Sequence, residues 1–436
     1  MHWKETLKSS LDGIINASEQ EQLFASLSAP SPTSLRLNPR KPGATLKLKE
    51  EIPWCPDGFY LESRPAFQNE VDFHLGRYYV QEAASMFLSH VLKEIDIEPK
   101  LILDMCAAPG GKSSLLIDAY PESLIVANEI DAKRNSILEE NLTKWGATNV
   151  LLAQAGSKAM GQLGPTFDLI LVDAPCSGEG MLRKSEAARK QYNQGLIEHC
   201  VGMQKRILDQ VLSALRPGGL LVYSTCTWNR LENEHHFLDR SELKPLHVTF
   251  PDSWQIAAPI EDDIYMHRFF PHKTASEGLC LGVFQKTDDL EKIKRTKKTN
   301  AHFKVFQDLN FSLDEHTVLQ NSLGYLSALP SQFLLDLTRL SQKVQCRPLL
   351  TLGTLDRKLR LIPDIALAQQ MACPLPYHRE NLSSDLITAY LRRESLPGFG
   401  RTSEWIIASH QDLPLGFLKD VGKRCNNAYP PPRAIR

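Results

Sequence analysis

Two cysteines in this chain stand just past the ends of strand-like apolar runs. Cys176 closes Phe167-Asp-Leu-Ile-Leu-Val-Asp173-Ala-Pro-Cys176, and Cys226 closes Gly218-Gly-Leu-Leu-Val-Tyr-Ser-Thr-Cys226. A third run, Leu101-Ile-Leu-Asp104, leads into Met-Cys-Ala-Ala-Pro-Gly-Gly-Lys112. Ligands of open α/β sheets bind at the carboxyl ends of the strands. The three runs would therefore aim a glycine-rich turn, an aspartate and two thiols into one crevice. Taken singly, each cysteine is best read as a small buried apolar residue. Taken together, beside an Asp-x-Pro turn and a glycine loop, they point to chemistry.

That chemistry follows from the groups. C5 of cytosine is a poor nucleophile until a nucleophile adds at C6 and makes the ring an enamine, and a cysteine thiolate does this well. A cation such as Lys112 would help ionise the thiol. Asp173 is suited to stabilise charge developing at N3, and a second cysteine to help expel the first afterwards. The turn Asp104-x-x-Ala-x-Pro-Gly-Gly-Lys112 fits a nucleotide-type ligand, because glycines let the backbone approach closely at a helix start. It is not a phosphate-binding P-loop, since Cys106 stands where the first glycine is required, and GxGxxG is absent. Glu129, at the end of the second strand run, could hold a ribose diol. The set suits an adenosine ligand without pyrophosphate, as in S-adenosylmethionine.

Positioning these groups requires a regular scaffold. Apolar runs at 101–104, 123–128, 149–153, 167–172 and 219–224 alternate with helix-like stretches at 112–120, 131–145 and 196–215. This implies βαβ units and a parallel sheet covered on both faces. Runs near 263–270 and 279–286 would add an antiparallel pair. Residues 1 to about 28 read as helical, and Ser34–Pro39 as a short strand. Lys292, Lys294, Arg295, Lys297 and Lys298 read as a solvated linker. An amphipathic stretch at 329–342 and strand-like runs at 348–352 and 358–362 precede a small, mostly β end.

At 436 residues, two or three domains are expected. No apolar run approaches the ~18 residues of a membrane span, and the charged start is unlike a signal peptide. Nine cysteines without a CxxC pair argue against a zinc site or a disulfide framework. The expectation is a cytoplasmic protein without membrane or metal, acting as a monomer. A net charge of −1 means that any nucleic-acid contact must come from local patches.

The motifs Asp104–Lys112, Asp173-Ala-Pro-Cys-Ser-Gly178 and Ser224-Thr-Cys-Thr227 with Glu232-Asn-Glu234 resemble the NOL1/NOP2/Sun RNA 5-methylcytosine methyltransferases. Arg77-Tyr-Tyr-Val-Gln-Glu-Ala-Ala-Ser85 and Arg268-Phe-Phe-Pro-His272 extend the resemblance from about Ser34 to Lys286. It implies that Cys226 attacks and Cys176 assists release. It also implies that Ala107, Ala108, Pro109, Gly110, Gly111, Lys112, Glu129, Arg134 and Asp173 line the S-adenosylmethionine site. The C-terminal part resembles a bacterial branch, the ribosomal RNA small-subunit methyltransferase F type, with a PUA-like RNA-binding module. The residues are Ala389–Leu396, Leu413-Pro-Leu-Gly416 and Gly422–Pro430. Lys419, Lys423, Arg424, Arg433 and Arg436 against Asp420 would form a phosphate-binding patch.

One departure stands out. Where the family carries an adenine-holding aspartate after the third strand, this chain has Gln154-Ala155-Gly156, which implies either weaker cofactor binding or a substitute from Gln154 or Ser157. His267 and His272 lack ligating neighbours in sequence and read as loop residues.

The expected architecture is a Rossmann-like α/β methyltransferase core at 93–290. An N-terminal RNA-contacting segment at 1–92, a linker at 291–345 and a PUA-like α+β module at 346–436 would flank it. The expected reaction is C5 methylation of a cytidine in RNA, most readily 16S ribosomal RNA. Transfer RNA as substrate, and a non-catalytic ribosome-assembly role, are the competing readings.

Overall fold

The computed structural model describes residues 2–261, 263–287, 303–307, 313, 315–370 and 377–435. At its centre lie five parallel strands: β1 (Leu101–Asp104), β2 (Leu124–Asn128), β3 (Val150–Ala153), β4 (Phe167–Asp173) and β5 (Leu215–Thr225). Their order is β3-β2-β1-β4-β5. Ile102, Leu103, Ile125, Leu151, Ile170 and Leu221 are fully buried, which is why these strands read as unbroken apolar runs. Strand order reverses between β1 and β4, so their carboxyl ends open a crevice.

Three more strands finish one edge: β6 (Leu243–Leu246), β7 (Met266–Phe269) and β8 (Leu279–Lys286). β8 runs antiparallel to β5, and β6 and β7 both pair with β8. β9 (Cys346–Pro348) closes the other edge against β3.

The crevice helices begin and end where the sequence dictates. α1 (Gly111–Ala119) starts from Gly110, held at φ 111°. Asp131 caps α2 (Ala132–Trp145) by accepting from the Arg134 N–H, and Gly146 ends it in the left-handed region. Asn193 caps α3 (Gln194–Val211).

The N-terminal stretch is two helices, His2–Ser10 and Ala17–Ser26, rather than one. Gly13 turns the chain at φ 70°, and an Asn16–Glu19 capping box restarts it. Leu7, Leu11, Leu23 and Leu27 then pack on Ile197 of α3 and on Leu182, Tyr192 and Trp228 of the turns that follow β4 and β5. A four-stranded sheet from residues 34–80 docks beside them. Its Arg36 lies 4.3 Å above the Trp145 ring and pairs with Asp118. Buried Lys41 donates to the carbonyls of Leu75 and Lys144, and burial pulls its pKa down to about 7.

The expected linker at 291–345 needs correcting. Lys304–Val305, His316–Gln320, Leu326–Pro330, Thr351–Leu355 and Leu361–Pro363 form one five-stranded sheet that runs through the expected boundary at 345. Antiparallel pairing of 326–330 with 351–355 holds both sides of that boundary in one unit. The basic run Lys292–Lys298 lies outside the described residues.

A last five-stranded sheet, from residues 378–427, completes the C-terminal end. It docks on the N-terminal sheet, with His74 Nδ1 2.8 Å from the Tyr429 hydroxyl and Arg77 donating to Gln411. In the expected basic patch, Lys423 and Arg424 are exposed. Arg433 instead turns inward to Gln369 and Glu140, and Arg436 lies outside the described residues. Among the described residues, no helix is long and apolar enough to cross a membrane.

Candidate active site

Parallel pairing of β4 with β5 sets Asp173 opposite Ser224, so the turns that follow emerge side by side. The Cys176 and Cys226 Sγ atoms come within 3.1 Å, although 50 residues separate them. Hydrogen bonding to Cys226, then burial, pushes the Cys176 pKa well above its usual value.

Asp173 faces the same space. One carboxylate oxygen accepts from Ser224 Oγ at 2.8 Å, and the other pairs with Lys112 Nζ at 2.8 Å. Burial opposes the charge on Lys112, but Asp173 and then Cys226 outweigh it and raise its pKa. Beneath them, burial lifts Asp104 to about 7, and Ser113 donates to it at 2.6 Å.

Two buried carboxylates hold the thiol turns. Glu232 accepts from the Ser177 N–H and from Gln204, both at 2.8 Å, and from Asn229 at 2.9 Å. Glu179 accepts from Tyr192 at 2.7 Å, from Asn229 at 2.9 Å and from the Trp228 N–H. Gly180 sits so close to the Cys226 carbonyl that a Cβ would stand 3.1 Å from it. Glu234 forms a fully buried ion pair with Arg268, which also donates to the Trp228 carbonyl. Glu232 and Glu234 belonged to a motif visible in the sequence. Glu179, Gln204 and Asn229 carried no sequence signal, because their partners lie on other turns.

The glycine turn is fixed from three sides. The Ala107 N–H donates to the Asn128 carbonyl at 2.8 Å, Arg134 donates to the Ala108 carbonyl at 2.7 Å, and Tyr79 and Asn141 donate to the Pro109 carbonyl. A Cβ on Gly111 would meet Gln81 and Tyr79 at 3.3 Å, which accounts for the Tyr-Tyr-Val-Gln81 segment lying over it. Beside this turn opens a pocket of about 560 Å³, lined by Ala108, Glu129, Arg134, Asp173 and Cys176 among others. Ala107, Pro109, Gly110 and Gly111 build the turn behind it, and Lys112 reaches forward to Asp173.

Glu129 is buried, with Oε2 paired to Arg134 at 3.1 Å and Oε1 accepting from the Asp131 N–H at 3.0 Å. This fixed carboxylate at the end of β2, the glycine cradle and the pocket's size fit an adenosyl ligand. Ala155 lines the pocket as read from sequence, and so does Ser157, whereas Gln154 bonds to the Ile130 carbonyl and lines a different groove. Met203, Arg206, Ile207 and Gln210 of α3 also line it and were not foreseen. His267 is buried among aromatic rings. Among the described residues, no three metal-ligating side chains converge.

Comparison with known proteins shows the family. Residues 91–285 match the family described as 16S rRNA methyltransferase RsmB/F. Residues 5–83 match the N-terminal domain of 16S rRNA methyltransferase RsmF, and residues 379–435 match the methyltransferase RsmF PUA domain. The chain is 31% identical over 409 residues to ribosomal RNA small subunit methyltransferase F of Salmonella agona, spanning 87% of this chain and 83% of that protein. It is 29% identical over 406 residues to the protein of that name from Enterobacter, with the same coverage. A crystal structure of a methyltransferase homologue from Pyrococcus horikoshii matches 65% of this chain and 99% of its own, at 28% identity and a TM-score of 0.50. The NSun6 protein of Pyrococcus horikoshii, solved with the S-adenosylmethionine analogue SFG, shares the fold at 21% identity and a TM-score of 0.56. That match covers 65% of this chain and 98% of that one.

Proposed function

This chain belongs to the RsmB/F family of methyltransferases, S-adenosylmethionine-dependent enzymes acting on RNA, and we propose that it methylates C5 of a cytidine in 16S ribosomal RNA through a covalent bond to Cys226. The observation that carries the reading is the thiol pair at 3.1 Å beside the Asp173–Lys112 pair. Two thiols in contact are what a reaction needs that both forms and breaks a carbon–sulfur bond, one to attack and one to assist release.

The turn from Ala107 to Lys112 with Glu129 and Arg134 would hold the cofactor, whose contribution is an electrophilic methyl group. The rest falls to this chain. The Cys226 thiolate adds to C6, and the electron pair displaced toward N3 is met by a proton held between Asp173 and Lys112. The resulting enamine carbon, C5, takes the methyl group. The N3 proton returns to the Asp173–Lys112 pair, solvent water takes the C5 proton, its electron pair re-forms the C5–C6 double bond, and the bond from Cys226 to C6 breaks with its electron pair returning to sulfur. Cys176 supports that last step, because its S–H stabilises the departing thiolate 3.1 Å away. The target base must leave its stack to reach Cys226. The N-terminal segment and the exposed Lys423 and Arg424 of the C-terminal module are the proposed RNA contacts. The enzyme acts as a monomer in the cytoplasm in this reading.

The test is methyl transfer from labelled cofactor to naked 16S RNA and to intact small subunits, followed by bisulfite sequencing. One protected cytidine in either substrate is the expected result. Labelling confined to transfer RNA, or modification at any atom other than C5, would overturn the assignment.

A further inference from the structure

The pocket's polar groups are unevenly distributed. On the β1–β2 side the residues are charged, with Glu129 and Arg134 beside the glycine turn. On the β3 side Ala155 offers only a methyl group. The uncharged polar reach there comes from Ser157, just after β3, and from Gln210 near the end of α3, with the exposed Lys158 and Arg206 at the rim. Much of the remaining lining is apolar: Ile130, which is 64% exposed, with Ala174, Pro175, Met203 and Ile207. Such a slot suits the faces of a flat heteroaromatic ring whose polar edge is turned toward β3.

Ser157 Oγ donates to Gln210 Oε1 at 2.6 Å. As it stands, the bond places the amide oxygen against the Ser157 hydroxyl. It leaves one Oε1 lone pair, and the Nε2 hydrogens have no partner among the described residues. A carboxamide in this state offers one acceptor beside one donor. Adenine presents the complement, an N6 donor beside the N1 or N7 acceptor, and a side-chain amide pairs with both at once.

We propose that Gln210, oriented by Ser157, is the residue that reads the adenine base of the cofactor, in place of a carboxylate after β3. The proposal rests on the S-adenosylmethionine reading of this pocket and adds its base-recognition element. A carboxylate can only accept from N6, so it leaves the ring nitrogen unpaired. The amide pairs both atoms and thereby rejects hypoxanthine, whose edge has the reverse polarity. The Ser157 hydroxyl donates to the amide as it stands, and it would have to reverse its bond and accept from Nε2 for the amide flip that accommodates hypoxanthine.

The test is calorimetric binding of S-adenosylhomocysteine and its hypoxanthine counterpart, S-inosylhomocysteine, to the full chain, with a thermal melt of each variant. Wild type should prefer the adenine form by tenfold or more. Gln210→Met, similar in length but without the amide, should bind the adenine form about tenfold more weakly and lose the preference, with its melting temperature unchanged. Ser157→Ala should keep most of the affinity and lose much of the preference. Gln210→Met retaining wild-type affinity and preference would overturn the proposal. So would a lowered melting temperature with equal losses for both ligands, since that marks a tie between helices. Failure of wild type to bind S-adenosylhomocysteine at all would overturn the cofactor reading itself, and this proposal with it.

Discussion

Glu232 accepts hydrogen bonds from both the backbone N–H and the hydroxyl of Ser177, which is 55 residues earlier in the chain. This bond pair ties the turn that carries Cys176 to the turn that carries Cys226. Burial first, and Glu179 next, raise the Glu232 pKa, while Ser177 and Asn229 oppose them. Replacing Glu232 with Ala would strand the buried donors of Ser177, Gln204 and Asn229. A loss of about 3 kcal/mol in urea denaturation is expected, together with a large fall in methyl transfer. Unchanged stability would mean that the carboxylate does not hold the two turns.

In the proposed mechanism Asp173 and Lys112 carry the proton, so Asp173→Asn should cut single-turnover methyl transfer by roughly 10²–10⁴-fold. Asp173 is about one-third exposed, and its loss should leave the melting temperature nearly unchanged. Lys112→Met should fall in the same range. Rates within threefold of wild type for both variants would remove the pair from the chemistry.

His267 supplies a pH dependence. Its ring is buried with neither nitrogen hydrogen-bonded, and burial, then His247 and His90, lower its pKa from 6.5 to about 4. Between those values the unfolded chain binds the proton and the folded chain does not, so this residue destabilises the fold as pH falls from 6.5 toward 4. Relative to wild type, His267→Phe should gain about 1.4 kcal/mol per pH unit across that window. A stability difference that stays flat with pH would contradict this burial argument.

Much of the catalytic sheet was legible, because its strands are buried on both faces and carry unbroken apolar runs. Leu101–Asp104 falls where the pattern put it, and the turns after β4 and β5 follow from the same logic. The sheet of residues 304–363 was legible only in part: the strand-like runs at 348–352 and 358–362 overlap Thr351–Leu355 and Leu361–Pro363, but the strands at 304–305, 316–320 and 326–330 and their pairing were missed. Its strands are short, and their stability depends on pairing such as 326–330 with 351–355, which no local period announces. The thiols, Asp173 and the glycine turn stood out as motifs. Glu179 and Gln204 did not, since an isolated polar residue declares itself only through partners such as Trp228, 49 residues further on. Gln210 was hidden for the same reason, because its partner Ser157 lies 53 residues away.

The central claim is that Cys226 bonds to the base and Cys176 helps to release it. Cys176→Ala, mixed with S-adenosylmethionine and small-subunit RNA, should leave the enzyme joined to the RNA. A nuclease-sensitive band of lower mobility should then appear on a denaturing gel and vanish when Cys226 is also changed to Ala. Methyl transfer at the wild-type rate by Cys226→Ala, or an adduct that persists in the double variant, would contradict the account.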